Sequence, residues 1–498
     1  MRKNNVIRIF IIIILIALAF GMGMVVEQWR QEAKRSSAVQ VDAANVKEGI
    51  QKSIGEYVKL MPGTTAEMLD PAFWKTETSQ ELLFTPEEIE YYQNNNPISV
   101  LYYDEAAGRS LRFFVDDLPE EIDGRSMHSL INLPAPEDAE ENVTKLYVNG
   151  SLPEKGYWEA LRNNCALDAI PEKVVPKYGI CIKRTVAMGY PTEDFASSNP
   201  SELFCNDFVS AEIMPLSGVA ILHESLDKTW VYVINGSYCG WIKKENLAMC
   251  KDKEEWLAIS RPQDFLVVTG CEVLLDESAL PNHTAGMVLP MGTRIKLLSK
   301  ETGQIAGREG YGCYLAEIPY REEDGMMGLE KVWIPVAKDV TVGFLPMTSD
   351  AVIEQAFKFQ GKIYGWGGSF SSNDCSGMVR QVYACFGFEL PRNSSSISEL
   401  YDLGGTDFFG ATEKKKLETL KKLPTGTLLY MDGHLMIYLG MVEEKPYVIS
   451  SCATFIAPGD GTGNVKEAYG VFVSNMDLLR KNGKTWLDSF TYFQWKDY

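Results

Sequence analysis

The chain of 498 residues contains only four histidines: His128, His223, His283 and His434. That scarcity nearly excludes a multi-histidine metal site and leaves few candidates for any step that needs an imidazole. No metal ligand set and no cofactor are expected. Basic residues are also sparse, with 48 Lys and Arg against 67 Asp and Glu and a formal charge of -19. Nucleic acid is excluded as a partner on that ground, because phosphate binding needs a basic face. None of the ten cysteines precedes Cys165, so an N-terminal lipidation site is absent, and no CxxC pair of the zinc type occurs. What is present is a globular balance, 45% hydrophobic and 23% charged. At about 150 residues per domain, the length suggests roughly three domains.

The N-terminus addresses the chain to the cell envelope. Arg2, Lys3 and Arg8 precede an uncharged apolar run from Ile9 to Val26. Such a run spans about 27 Å as a helix, close to a bilayer core. Positive charge ahead of it predicts a cytoplasmic N-terminus and an exported body. Residues 1–26 are therefore a signal anchor. Ala17-Leu18-Ala19 also suits a cleavage site, which would make the segment a signal peptide and the protein secreted. Membrane contact through this segment is the expected consequence. Residues 27–47 read as a polar linker.

Residues 48–177 hold mixed short elements, including a helix that starts at Pro86 with Thr85 as cap. From Tyr178 to Met249 the pattern turns to short strands. Trp230-Val231-Tyr232-Val233-Ile234 runs into Asn235-Gly236, and Tyr238 to Ile242 follows, a strong hairpin signal. A second strand-rich region covers residues 263–345, with strands at Arg294–Leu298 and Lys331–Pro335. Two successive units of this size suggest two small β-barrels. Residues 350–498 read as an α+β unit. Asp350 caps a helix from Ala351 to Phe359. A Gly-rich loop, Tyr364-Gly365-Trp366-Gly367-Gly368, leads to Asp374-Cys375-Ser376-Gly377. Met378, Val382 and Phe386 then give a helical stripe. His434 opens an alternating strand that returns, after a turn at Glu443-Glu444-Lys445, through Tyr447–Cys452.

Cys375 falls at the first turn of a helix, where unpaired N–H groups and the helix dipole favour a thiolate nucleophile. The same N–H groups suit an oxyanion. His434 at a strand start can face that helix end, giving the papain-like distribution of roles. A bland alternative is that Cys375 is a small core residue and His434 a satisfied histidine.

The four motifs Tyr364–Gly368, Asp374–Gly377, Leu390-Pro391-Arg392-Asn393-Ser394 and Gly433-His434 with Ile437–Gly440, in this order, resemble those of the NlpC/P60 cysteine peptidases. The regions upstream resemble that family's multidomain members, in which an N-terminal stabilising segment and two bacterial SH3 domains precede the catalytic domain. On this basis residues 48–177 would be the stabilising region, 178–249 and 263–345 the two SH3-like barrels, and 350–498 the catalytic domain. The resemblance implies hydrolysis of peptidoglycan stem peptides at the bond from γ-D-glutamate to a diamino acid, favouring a free N-terminal L-alanine. Cys375 would attack the carbonyl and His434 would shuttle the proton. Asp374 would hold the free amine, Ser376 and Ser394 the glutamyl carboxylate, and Tyr364 would line the site. Tyr238 of the first SH3-like unit would close it. Asp374 and Ser394 are also natural helix caps, and Tyr238 a natural hairpin packing residue.

Two positions depart from that family's pattern. A polar third residue normally orients the imidazole from the following strand. With Glu443-Glu444-Lys445 as a three-residue turn, Ser450 opposes Tyr438 and lies on the His434 face, where related multidomain members would carry a histidine. A hydroxyl can accept the ring N–H but adds little charge stabilisation. Ile397 stands where the family often has Gln. The alternatives to an anchored endopeptidase are therefore a wall-binding protein with a weak or inactive catalytic domain, and a cysteine amidase of related fold.

Overall fold

The computed structural model describes residues 51–52, 54–95, 100–104, 109–131, 145–236, 238–278, 282–299, 304–398, 406–459, 461 and 463–494. The apolar segment 1–26 and the linker 27–47 lie outside the described residues. Among the described residues no helix is long and apolar enough to cross a membrane. The described residues fall into two units that divide after Asp70. Of the first, a short 3-10 helix Ala66–Leu69 closes on Asp70, whose N–H meets the Glu67 carbonyl.

The second unit is multidomain and rich in β-strands. Its opening residues form the helices Pro86–Asn95, Gly124–Ile131 and Tyr157–Asn164. The first carries a reciprocal cap, with Glu88 N–H on Thr85 Oγ1 at 3.3 Å and Thr85 N–H on Glu88 Oε2 at 2.8 Å. Short strand pairs stitch this region to the rest: Leu82–Phe84 with Met347–Thr348, and Tyr147–Val148 with Ala196–Ser197.

A seven-stranded antiparallel sheet occupies residues 177–249. The Asn-Gly hairpin forms as its sequence dictates, with Asn235 opposite Tyr238. Trp230–Asn235 is apolar almost without interruption because both of its faces are covered. Trp230, Tyr232 and Ile234 pack with Trp158, Leu161 and Met127 of the preceding helices. Val231 and Val233 pack instead with Ile213, Val219 and Ile242 of the same sheet. A second sheet, of five strands, lies between Phe265 and Val342, beside a separate hairpin of Glu272–Leu274 with Val288–Pro290. Its core is built on Leu266, Leu289, Ile295 and Val332.

The C-terminal region is an α+β layer structure. A six-stranded antiparallel sheet runs in the order Thr406–Asp407, Phe490–Gln494, Leu428–Met431, His434–Val442, Lys445–Ile456, Val465–Asn475. The helices Ser349–Phe357 and Cys375–Ala384 accompany it. The first helix begins and ends two residues earlier than the sequence suggests. Thr348, not Asp350, caps it, through the Ala351 N–H at 3.1 Å. Asp350 is drawn away to accept the Ser79 hydroxyl.

The turn after His434–Val442 also differs from expectation. It has two residues, Glu443 and Glu444, both with positive φ (48° and 66°), and Lys445 already pairs with Val442. A register shift between Tyr438 and Gly440 then leaves Tyr438 opposite Val448. Continuing that register sets Ser450 opposite Met436 rather than Tyr438. The two displacements add to a whole side-chain period, so Ser450 stays on the His434 face.

Candidate active site

The loop and helix around Cys375 are organised by one carboxylate. Asp374 is the helix N-cap, accepting the Gly377 N–H at 2.8 Å on Oδ1. Its Oδ2 accepts the Gly367 N–H at 3.0 Å and so fastens the Gly-rich loop to the helix start. Arg392 closes on both oxygens, at 3.0 and 2.7 Å, and also reaches Ser376 Oγ at 3.0 Å. The Ser376 hydroxyl donates to Asp374 Oδ1 at 3.2 Å. The buried guanidinium holds the Asp374 carboxyl below its ordinary range against the opposing effect of burial. Asp374 is thus a cap and an ion-pair partner with both oxygens engaged, and Ser376 belongs to the same network.

Glu212, buried on strand Val209–Ile213 of the seven-stranded sheet, extends this network. Arg184 pairs with it and also donates to Asn373 Oδ1 at 2.7 Å, while Arg392 lies 4.0 Å from it. Glycine is required where that sheet meets the Gly-rich loop. A Cβ on Gly368 (φ 93°) would stand 2.3 Å from Glu212 Cβ, and one on Gly367 (φ 57°) 2.4 Å from Val209.

Cys375 and His434 line one cleft of about 410 Å3, together with Tyr364, Cys452 and Trp486. His434 starts its strand after Gly433 (φ 74°), and its ring packs on Trp486 with centroids 5.1 Å apart. Among the described residues its hydrogen-bond partner is Ser450, with Nε2 3.1 Å from Oγ. Next in sequence, Ser451 donates to the Asn373 carbonyl at 2.7 Å, tying this strand to the residues just before Cys375.

Electrostatically the pair is neutral at rest. Burial pushes the Cys375 thiol up to about 12, and the Asp374 charge adds to the rise. Backbone N–H groups of Leu435 and Ser376 oppose it. The helix start therefore supplies donors, but burial outweighs the dipole that would favour a thiolate. Burial also pulls His434 down to about 4, with the Arg480 charge acting in the same direction. Tyr364, whose N–H meets the Tyr469 carbonyl at 2.8 Å, is buried, and its phenol is held well above its ordinary value.

The remaining sequence candidates fall nearby to different degrees. Tyr238, at the head of its hairpin strand, is near enough to Arg392 and Asp374 for both charges to act on its phenol, which burial raises. Ser394 opens the short helix Ser394–Ser398, but Asn393 is the residue that caps it, accepting the Ser396 N–H at 2.7 Å. Ser394 does not line the Cys375 cleft. Ile397 is buried. The other described histidines stand apart: His128 is exposed on the helix Gly124–Ile131, His223 bonds the Cys165 and Ala166 carbonyls, and His283 stacks on Tyr320. All ten cysteines are unpaired. Sequence reading assigned no role to Arg392, Glu212, Cys452 or Trp486. Arg392 alone carried a signal, its place in the Leu-Pro-Arg-Asn-Ser motif.

A helix-borne cysteine facing a strand-borne histidine across one cleft is the layout of a papain-like α+β hydrolase domain. Residues 361–454 match the model of the NlpC/P60 family. The fold is similar to that of an NlpC/P60 endopeptidase from Photobacterium damselae subsp. piscicida, with a TM-score of 0.62 at 15% identity over 86% of this chain and 96% of that one. An NlpC/P60 family protein from Bacillus cereus ATCC 10987 aligns at a TM-score of 0.39 and 18% identity, over 57% of this chain and 81% of that one. No curated protein matches the sequence. Over residues 361–454 the C-terminal region is thus similar to NlpC/P60 domains, and the likeness of the fold extends through most of the chain.

Proposed function

We propose that the protein is an extracytoplasmic peptidoglycan hydrolase, a cysteine endopeptidase that cuts the γ-D-glutamyl to diamino acid bond of wall stem peptides. The observation that carries the reading is that Cys375 and His434 line one cleft, with the far ring nitrogen of His434 on Ser450. The sheets at 177–249 and 265–342 are read as two SH3-like units that wall off and position the substrate, after the stabilising residues from 48 onward. Residues 1–26 hold the enzyme at the membrane, or are removed on secretion.

Neutral partners set the order of events. The His434 ring nitrogen turned away from Ser450 takes the Cys375 proton as substrate enters, and the sulfur attacks the glutamyl carbonyl carbon. The oxyanion is met by N–H groups of the helix start. His434 then returns the proton to the leaving diamino acid nitrogen, and water hydrolyses the thioester. Ser450 fixes the ring. Tyr364 lines the cleft, the Ser376 hydroxyl, now shared between Asp374 and Arg392, is the nearer candidate for the glutamyl carboxylate while Ser394 would have to move in from outside the cleft lining, and Tyr238 closes the end near Asp374. A free L-alanine ammonium would share Asp374 with Arg392, and preference for that free amine is part of the proposal.

The test uses synthetic L-Ala-γ-D-Glu-diamino acid peptides, with the amine free or acetylated. Release of L-Ala-γ-D-Glu, identified by mass and lost in Cys375→Ala, supports the reading. Binding without Cys375-dependent turnover would indicate a wall-binding protein, and cleavage at the sugar-peptide amide an amidase.

A further inference from the structure

Behind the Cys375 helix, on the side away from the cleft, lies a second cavity of about 210 Å3 that shares no lining residue with the first. Gly377, Arg380 and Gln381 of the helix form one wall, and Gly218 and Arg294 from the two β regions face them together with Trp256 of the helix Lys253–Ser260 between those regions. The space is enough for several waters, at about 30 Å3 each in the liquid, or for one small organic ion.

Charge in this region is almost balanced by pairs. Arg261 holds Asp116 at 2.9 Å and Glu389 at 3.0 Å, and Arg294 also binds Glu389. Glu212 is taken by Arg184, and Asp374 by Arg392. Each carboxylate around the cavity is therefore already engaged, and Arg380 is left over. Its Nε donates to the Leu390 carbonyl at 2.9 Å, and neither terminal nitrogen has a hydrogen-bond or ion-pair partner among the described residues. Burial and the Arg392 charge pull its pKa down to about 10 against the opposing charges of Glu212, Glu389 and Asp374, none of which bonds it directly, so it remains a cation at neutral pH. Three further polar atoms of the lining are orphaned: the indole N–H of Trp256, a residue only 1% exposed, Gln93 Nε2 and Gln381 Oε1. Unpaired buried donors beside an unmatched charge are costly unless something fills the space.

We propose that this cavity is a binding site for a small monocarboxylate, held by the open edge of the Arg380 guanidinium with the Trp256 indole N–H as a further donor. One negative charge completes the balance, and the planar carboxylate matches the guanidinium fork. The ligand would brace the back of the helix that carries Cys375, independently of what the cleft hydrolyses.

Calorimetric titration of the full chain with sodium acetate, at fixed ionic strength against sodium chloride and sodium phosphate, tests this. The expected result is saturable acetate binding that Arg380→Met abolishes and Arg380→Lys weakens roughly tenfold, because the ammonium lacks the fork. Trp256→Phe, which keeps the ring and removes the donor, should also weaken it, and serves if Arg380→Met does not fold. Absence of acetate binding by the unaltered chain, binding unchanged in these variants, or equal uptake of chloride or phosphate would overturn the proposal.

Discussion

The Nε2 atom of His434 lies 3.1 Å from the hydroxyl of Ser450, so the imidazole is oriented by a neutral side chain rather than by a carboxylate or second imidazole. A hydroxyl fixes the ring plane but contributes little to the imidazolium that forms in turnover. Ser450→Ala should therefore lower kcat about tenfold with KM little changed, since only the positioning of a general base is lost. Steady-state kinetics on a stem peptide decides it. An unchanged kcat would mean that Trp486 packing alone holds the ring.

Ser450 is legible in the sequence only in part. Its face could be read from alternation along the two strands, yet its partner could not. Positive φ at Glu443 and Glu444 shortens the turn, and the irregularity near Leu439 is invisible in an apolar stretch. Their combined shift of two residues preserves the face, whereas a shift of one would have turned Ser450 away. Cys375 and His434 were readable because a cap residue, a helix stripe and a strand start each leave a local mark. Glu212 was not, because nothing near it in sequence signals a partner in the catalytic region, over 150 residues away. The thiol state departs from the sequence expectation for a related reason: the helix dipole is a sequence-local effect, while the burial that overrides it comes from the whole cleft.

The depressed His434 fixes the acid limb of activity. With its pKa drawn down to about 4, the ring stays neutral and able to accept the thiol proton through most of the range below 6.5. The acid limb of kcat/KM in the free enzyme should fall near pH 4 rather than near 6.5. Arg480→Gln removes a cation that depresses this group, so the limb should move upward. The sign for stability follows. Between the unfolded value near 6.5 and the folded value near 4 the unfolded chain binds the extra proton, so stability falls as pH drops through that window and levels below it. A limb near 6.5 that is insensitive to Arg480 would contradict both statements.

Arg392 should matter more for the fold than for the chemistry. It answers Asp374 with two bonds and stands 4.0 Å from Glu212, all three residues being buried. Removing one member of a buried pair strands the other charge, at a cost of about 3–5 kcal/mol. Arg392→Met should lower stability by that order in denaturant titration, and Arg392→Lys should rescue only part of it. Because the folded Asp374 pKa is depressed, its contribution is present above the unfolded carboxyl pKa near 3.8 and lost as pH falls below it. The difference between wild type and Arg392→Met should accordingly shrink in strong acid. A variant as stable as wild type would show the network to be dispensable.

Gly368 offers the sharpest test of how the first β region supports the site. Its φ of 93° already disfavours any side chain, and a Cβ there would lie 2.3 Å from Glu212 Cβ and 2.7 Å from Glu212 Oε2. Gly410 has a comparable φ of 73° with nothing within 4 Å of an added Cβ, so it isolates the backbone cost. Gly410→Ala should cost about 1–2 kcal/mol through the left-handed conformation alone. Gly368→Ala adds overpacking of about 1–3 kcal/mol and must push Glu212 off Arg184 and Arg392. The expected outcome is a larger fall in melting temperature for Gly368→Ala, accompanied by lost peptide hydrolysis, with activity retained in Gly410→Ala. Equal destabilisation by the two variants would show that the sheet yields without cost at this contact, and hydrolysis undiminished in Gly368→Ala would show that the Glu212 contact does not serve the Cys375 loop.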